Sequence, residues 1–252
     1  MEEDASSPRG LEKPRKSLGK IPEEEEDSDE LVDDPNTNWL ARSAVFFQFV
    51  IANLFLNYDN GVIPACLLKI EKDLSMGYGE IALLGSLVYF GLSCSSLFVS
   101  ILFQKFHAKN LLGTSQILNG AASLIFALSS QHWILYSMRF MLGFTQAFSI
   151  IYAPVWINEF SPRKSNTTWI ATLHMFTVVG ILVGYILGAL TQGPMAEIMG
   201  WRGAFQIQAY AMLVIGLSFF LVDDEHIEIF NAPPKRGSSI ARHGQSPSLN
   251  QV

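Results

Sequence analysis

Residues 165–196 read SNTTWIATLHMFTVVGILVGYILGALTQGPMA, a run of 32 residues that contains no Asp, Glu, Lys or Arg. A helix needs about 20 apolar residues to cross the hydrocarbon core of a bilayer. The run is long enough to span a membrane, and it predicts a transmembrane helix over residues 166–192. Four further uncharged runs of similar character cover residues 81–104, 110–138, 140–158 and 203–222.

The spacing of the apolar runs predicts an all-α fold, a polytopic membrane bundle of six transmembrane helices over residues 39–222. The predicted helices cover residues 41–68, 80–104, 109–129, 133–160, 166–192 and 200–222. Very few residues connect the third and fourth helices, so these two must be antiparallel neighbours.

Most of the charge lies outside the predicted bundle. Residues 1–38 contain thirteen acidic and five basic side chains, a net charge of −8 within a chain whose total is −6. Such a segment cannot bury enough apolar surface to offset the entropy lost on folding, so we expect a disordered, acidic, cytoplasmic tail. Residues 223–252 are polar and rich in Pro, Gly and Ser, and we expect a second flexible cytoplasmic tail there.

Basic residues near the ends of the predicted helices indicate the orientation, because Lys and Arg accumulate on the cytoplasmic side of membrane proteins. If both termini are cytoplasmic, seven basic residues lie inside and three lie outside. The inside set is Arg42, Lys105, Lys109, Arg163, Lys164, Lys235 and Arg236, and the outside set is Lys69, Lys72 and Arg202. Asn166 begins an Asn-Thr-Thr glycosylation pattern, which this orientation places inside and therefore leaves unmodified.

Asp59 is the first candidate site residue, because a carboxyl group at membrane depth is costly unless it faces a partner or a wet cavity. Asn57 and Asn60 flank it closely, and Gly61 and Pro64 weaken the helix locally. This grouping predicts a substrate-binding or proton-coupling site. The alternatives are a structural hydrogen bond to a neighbouring helix and a position near enough to the outer surface to be solvated.

Arg139 is the second candidate, and it shares one face of the fourth helix with Gly143 and Gln146. Its side chain either extends to the lipid headgroups or pairs with Asp59 or a substrate anion. Gln146 is predicted to line the same cavity. Pro154 then interrupts the hydrogen-bond ladder of this helix, as is tolerated where a helix lines a cavity.

His174 on the fifth helix is predicted to line the cavity, with a histidine bonded inside the bundle as the alternative. The same helix carries Gly180, Gly184 and Gly188, a four-residue repeat that indicates close packing against another helix. The five histidines show no metal-ligand spacing and no enzyme motif is present, so we expect no enzymatic activity, metal or cofactor. We also expect no nucleic-acid partner.

Five short segments carry a family resemblance: residues 57–63 (NYDNGVI), 139–143 (RFMLG), 153–162 (APVWINEFSP), 172–174 (TLH) and 200–202 (GWR). They are similar to motifs of the sugar porters. Over residues 39–225 the chain resembles the N-terminal, six-helix half of a major facilitator superfamily transporter. Its second resemblance is to the spinster-like lipid or organic-anion transporters, although Gln146 stands where that family usually has Glu.

Two departures from the family pattern bear on function. The loop after helix two normally carries an Asp and an Arg that lock the inner gate, and here Gln104 and Lys105 occupy those positions. The inner lock is therefore weakened or made differently, and Lys105, Glu159 and Arg163 are the gate candidates. Sugar porters also place a Gln at or beside the helix-five TLH motif, where this chain has no amide, which argues against an ordinary hexose.

The resemblance implies a secondary transporter that moves a small solute by alternating access between two six-helix halves. Asp59 would be its coupling or cavity carboxylate, with protons as the coupling ion, and Arg139 its partner or an anion contact. Besides the bilayer and the solute, the expected partner is a second six-helix half or a second copy of the chain. The alternative is a non-transporting membrane protein that regulates a full-length relative.

Overall fold

The computed structural model describes residues 39–162, 164–193 and 199–230, and these ranges contain helices but no β-strand. The helices are α1 (Trp39–Leu74), α2 (Tyr78–Lys105), α3 (Ala108–Leu128), α4 (His132–Phe160), α5 (Asn166–Gln192), α6 (Gly200–Phe219) and the short α7 (Asp224–Ile227). The all-α prediction is confirmed. The predicted acidic tail over residues 1–38 and the gate candidate Arg163 lie outside the described residues.

Helices α1 to α5 are long and apolar enough to cross a membrane. Helix α6 has 20 residues, and its polar side chains include Arg202, Gln206 and Gln208. It packs mainly against α3 and completes a bundle of six long helices. Of the six predicted transmembrane helices, five are thus long and apolar enough to cross a membrane by length and composition, and α6 is not among them.

Two helix ends differ from the sequence prediction by three residues or more, and the other ends agree with it within two residues. Helix α1 continues to Leu74 and so has 36 residues, more than the about 20 that span the hydrocarbon core. The added part is polar, and an ion pair of 3.2 Å joins Lys69 Nζ to Asp73 Oδ1 one turn apart. Helix α6 ends at Phe219 instead of residue 222. Hydropathy locates the apolar centre of a helix but not its polar ends.

Helix α1 packs against α5 with direct contact between the two backbones. A Cβ atom placed at Gly61 would lie 1.9 Å from the Ile181 carbonyl oxygen, and one placed at Gly184 would lie 1.9 Å from the Tyr58 carbonyl oxygen. Both distances are far below van der Waals contact. The glycine repeat of α5 therefore serves close packing, as its spacing predicts.

Helices α2 and α4 form a second pair of the same kind. A Cβ atom at Gly91 would lie 2.2 Å from the Phe140 carbonyl oxygen, and one at Gly143 would lie 1.8 Å from the Val88 carbonyl oxygen. Each helix thus contributes one glycine to the contact. The bundle contains two helix pairs, α1–α5 and α2–α4, that are held at close range by reciprocal glycines.

Helix α3 is joined to α4 and α6 by buried polar side chains. The Asn119 side-chain amide donates to the Leu142 carbonyl (3.1 Å) and to Thr145 Oγ1 (3.0 Å). The Ser123 hydroxyl donates to the Phe205 carbonyl (3.0 Å). These hydrogen bonds satisfy polar groups that are costly to bury unpaired.

The start of α1 and the end of α6 lie at the same end of the bundle, which we call the inner end. The structure differs there from the predicted flexible tail over residues 223–252, because residues 223–230 are ordered and include α7. Ile227 is fully buried and Glu228 is only 4% exposed. The sequence is polar on average, but its one buried isoleucine and its backbone carbonyls find partners on the bundle. Residues 231–252 lie outside the described ranges.

Candidate functional site

Asp59 and Arg139 form a buried ion pair in the middle of the bundle. Arg139 Nη1 donates to Asp59 Oδ2 at 2.8 Å, and each residue is 1% exposed. The structure therefore decides among the alternatives for Arg139: its guanidinium pairs with Asp59 and does not extend to the headgroups. Asp59 Oδ1 accepts no hydrogen bond from any described residue.

The ion pair connects the two glycine-packed helix pairs. Asp59 lies on α1, which packs on α5, and Arg139 lies on α4, which packs on α2. Arg139 Nε also donates to the Leu84 carbonyl of α2 at 3.2 Å, and its Cζ lies 5.7 Å from the centre of the Phe126 ring of α3. One guanidinium thus contacts three other helices.

Gln146 makes a second link between α4 and α1. Its side-chain amide donates to the Leu56 carbonyl, one turn before Asp59. The sequence predicts Gln146 in the lining of a cavity, but the structure places its amide against the α1 backbone, outside the cavity described next. Arg139 and Gln146 therefore both bind α1, whereas Gly143 between them packs on α2.

A cavity of about 180 Å³ lies between α1, α4 and α5, towards the inner end from the ion pair. Its lining residues are Asn53, Asn57, Ser149, Ile150, Ala153, Pro154, Leu173, His174 and Thr177. Two predicted site residues, Asn57 and His174, are among them. Asp59 and Arg139 are not, so these four predicted site residues divide between a buried ion pair and a separate polar cavity.

A chain of amide side chains runs along one face of α1 into this cavity. Asn60 Nδ2 lies 3.5 Å from Asn57 Oδ1, and Asn57 Nδ2 donates to Asn53 Oδ1 at 3.1 Å. Asn53 Nδ2 then crosses to α5, where it donates to the Leu173 carbonyl (2.8 Å) and to Thr177 Oγ1 (2.7 Å). The sequence analysis missed Asn53 and Thr177. A signal was present, since Asn53 precedes Asn57 by four residues and Thr177 follows His174 by three.

The cavity wall offers both donors and acceptors to a bound solute. Thr177 Oγ1 accepts from Asn53, and Ser149 Oγ accepts from the Gln116 amide, so both hydroxyl protons remain able to donate elsewhere. Pro154 has no N–H, so the Ile150 carbonyl loses its helical partner and is an acceptor on the same wall. No Asp, Glu, Lys or Arg lines the cavity.

The described gate candidates lie at the inner end. Lys105 is the last residue of α2 and Glu159 is the residue before the last of α4, and both side chains are exposed. Among the described residues neither forms an ion pair.

A family comparison accounts for this combination of long apolar helices, an intramembrane ion pair and a polar cavity. The sequence model of the Major Facilitator Superfamily matches residues 46–248. The chain belongs to this superfamily. The predicted resemblance is confirmed, and the protein is an integral, multi-pass membrane protein.

Relatives within the superfamily include both kinds of transporter that the motifs resemble. The probable sphingolipid transporter spinster homolog 2 of Arabidopsis thaliana is 25% identical over 84% of this chain and 47% of its own length. The D-xylose transporter of Levilactobacillus brevis is 26% identical over 73% of the chain and 41% of its own length. The glucose transporter GlcP of Staphylococcus epidermidis is 24% identical over 69% of the chain and 39% of its own length. The chain spans less than half the length of each of these three relatives.

Proposed function

We propose that the chain forms the N-terminal half of a secondary transporter that moves a small solute across a membrane by alternating access. The buried Asp59–Arg139 pair carries this proposal. An ion pair inside a membrane protein is costly to bury, and it contributes little stability compared with well-packed apolar side chains. Its position between two helix pairs suits an ion pair that breaks and forms again as the helix pairs move.

The cavity is the proposed solute contact of this half. Asn57 and His174 would bind the solute together with Asn53 and Thr177, while Gln146 holds α4 against α1 beside them. The lining supplies hydrogen bonds but no fixed charge, which favours an uncharged polar group on the solute. Asn60 would act indirectly, through its contact with Asn57.

The proposed partner is a second six-helix half, either on another chain or in a second copy of this one. Three transporters of the superfamily are more than twice as long as the matched segment. A midplane site between two halves is the general architecture of such transporters. The gate candidates Lys105, Glu159 and Arg163 would then contact the second half at the inner end.

Solute uptake into proteoliposomes tests the proposal. The chain is reconstituted alone and then with the C-terminal six-helix half of the D-xylose transporter relative, and radiolabelled D-xylose, D-glucose and a fluorescent sphingolipid are the probes. We expect uptake of at least one probe when both halves, or two copies, are present, and loss of that uptake in Asn53→Ala. No uptake with any probe and any combination would instead favour the regulatory alternative.

Proton coupling is proposed to depend on Asp59. In Asp59→Asn the side chain keeps its size and hydrogen-bonding groups but loses the titrating proton. We therefore expect that the variant no longer accumulates solute against a solute gradient, while exchange of solute across the membrane continues. Asp73→Asn, at the polar end of α1, is the matched control and should leave accumulation unchanged. If the Asp59→Asn variant still accumulates solute in response to an imposed pH gradient, Asp59 is not the coupling residue and its role is structural.

Both termini are proposed to be cytoplasmic, and glycosylation tests this. Asn166 Nδ2 donates to Ser161 Oγ (2.9 Å) in the turn between α4 and α5, at the inner end. We expect no glycan on Asn166 in a eukaryotic host, and protection of both termini from externally added protease. The positive control is a new acceptor pattern in the opposite loop, made by Ser75→Asn with Gly77→Thr. If Asn166 is glycosylated and residue 75 is not, the orientation in the membrane is the opposite of the one proposed.

A further inference from the structure

Residues 226 and 227 bind α4 on both sides of its proline. The Tyr152 hydroxyl, two residues before Pro154, donates to the Ile227 carbonyl at 2.6 Å. The Trp156 indole N–H, two residues after Pro154, donates to the His226 carbonyl at 2.8 Å. A single short segment after α6 therefore holds the two halves of α4 that the proline separates.

The same segment is anchored to the start of α3. The Glu228 carboxylate accepts the backbone N–H of Ala108, the first residue of α3, at 2.8 Å, and His107 Nδ1 lies 3.7 Å from it. A carboxylate is favourable there because the first N–H groups of a helix lack helical partners and carry partial positive charge. Lys109 Nζ adds an ion pair of 3.4 Å to Asp224 Oδ1. Glu228 is therefore a buried, charged anchor.

Pro154 makes this contact relevant to the cavity. A proline inside a helix removes one backbone hydrogen bond and permits the helix to bend at that point. Ile150, Ala153 and Pro154 all line the cavity. Holding Tyr152 and Trp156 on one segment therefore restrains α4 from bending at the cavity wall.

We propose that residues 224–230 form an inner clasp that restrains α4 from bending at Pro154 and keeps the cavity wall closed beside it. Glu228 is its positioning residue, because it ties the clasp to α3. The clasp would take the place of the inner lock that the sequence predicts to be weakened or made differently, with Gln104 and Lys105 at its positions. Its role in transport rests on the proposed function, whereas the wall closure can be measured without any transported solute.

Cysteine labelling of the purified chain in mild detergent tests the clasp. Ala153→Cys, on the cavity wall and 3% exposed, is the reporter in a Cys94→Ser background, and a water-soluble maleimide is the probe. The clasp is weakened by Glu228→Gln or by Tyr152→Phe. The exposed residues Glu225 and Tyr210 provide matched controls as Glu225→Gln and Tyr210→Phe. Native Cys66, buried between α1 and α5, reports general loosening of the bundle.

We expect Glu228→Gln to raise the labelling rate of residue 153 about tenfold, since a hydrogen bond to a charged group is worth a factor of about ten or more in an opening equilibrium. Tyr152→Phe should raise it by a smaller factor, and neither control variant should change it. Labelling of Cys66 should stay constant in all variants. An unchanged rate at residue 153, or an equal rise at residues 153 and 66, would overturn the proposal. A failure of the uptake experiment would leave this result intact.

Discussion

Replacing Arg139 by methionine is expected to destabilise the bundle by about 3–5 kcal/mol, because Asp59 would remain buried without its partner. Both side chains are 1% exposed, so water cannot take over the lost interaction. The free energy of unfolding would be measured in mixed micelles by titration with SDS, followed by tryptophan fluorescence. Lys105→Met removes a positive charge from the exposed end of α2 and should change stability by less than about 0.5 kcal/mol.

A double substitution separates the ion pair from the general effect of mutating the core. Asp59→Asn combined with Arg139→Met removes both charges, so it should recover a large part of the stability lost in Arg139→Met alone. The two single variants should therefore be strongly non-additive. Additive losses in the double variant would show that Asp59 and Arg139 contribute independently, which contradicts the 2.8 Å pairing.

Replacing Gly143 or Gly184 by alanine is expected to lower the free energy of unfolding by about 3 kcal/mol, the second largest effect. This value lies in the upper part of the usual range for overpacking. The added Cβ atom would meet the Val88 carbonyl oxygen at 1.8 Å in the first case and the Tyr58 carbonyl oxygen at 1.9 Å in the second. Neither backbone can move away without separating a whole helix pair. The same SDS titration measures the loss.

Gly85→Ala is the matched control for these substitutions. Gly85 also lies inside a helix, but a Cβ atom there would have no neighbour within 4 Å. The change should be neutral or stabilising by up to about 1 kcal/mol, because alanine restricts the unfolded chain more than glycine does. Equal losses in Gly85→Ala and Gly184→Ala would contradict the assignment of the α5 glycines to close packing.

Most of the fold could be predicted from the sequence, and the exceptions lie at polar ends. The fifth helix was predicted over residues 166–192 and has those bounds in the structure. Helix α1 extends six residues past its predicted end, because Lys69 and Asp73 stabilise helix outside the apolar core. The segment that begins at residue 223 looks flexible by composition, and only contacts with distant helices show that its first part is ordered.

The site was predicted in its residue types but not in its arrangement. Asp59 and Arg139 were singled out because unpaired charges are rare at membrane depth, and the structure pairs them. Gln146 was grouped with them by helical periodicity, yet its amide binds the Leu56 carbonyl. Asn53 was overlooked because an amide costs less than a charge in a membrane helix and gives a weaker signal.

The sequence by itself determined that this protein consists of membrane-spanning helices, and which charges lie among them. These properties follow from the transfer free energy of each residue type and from helical periodicity, both of which are local. Only the tertiary structure decided that Arg139 pairs with Asp59, that the cavity is separate from this pair, and that residues 226 and 227 bind α4 on both sides of Pro154. Partners as far apart in the sequence as Asn53 and Thr177, 124 residues, meet according to the depth and rotation of whole helices, which depend on packing between the helices.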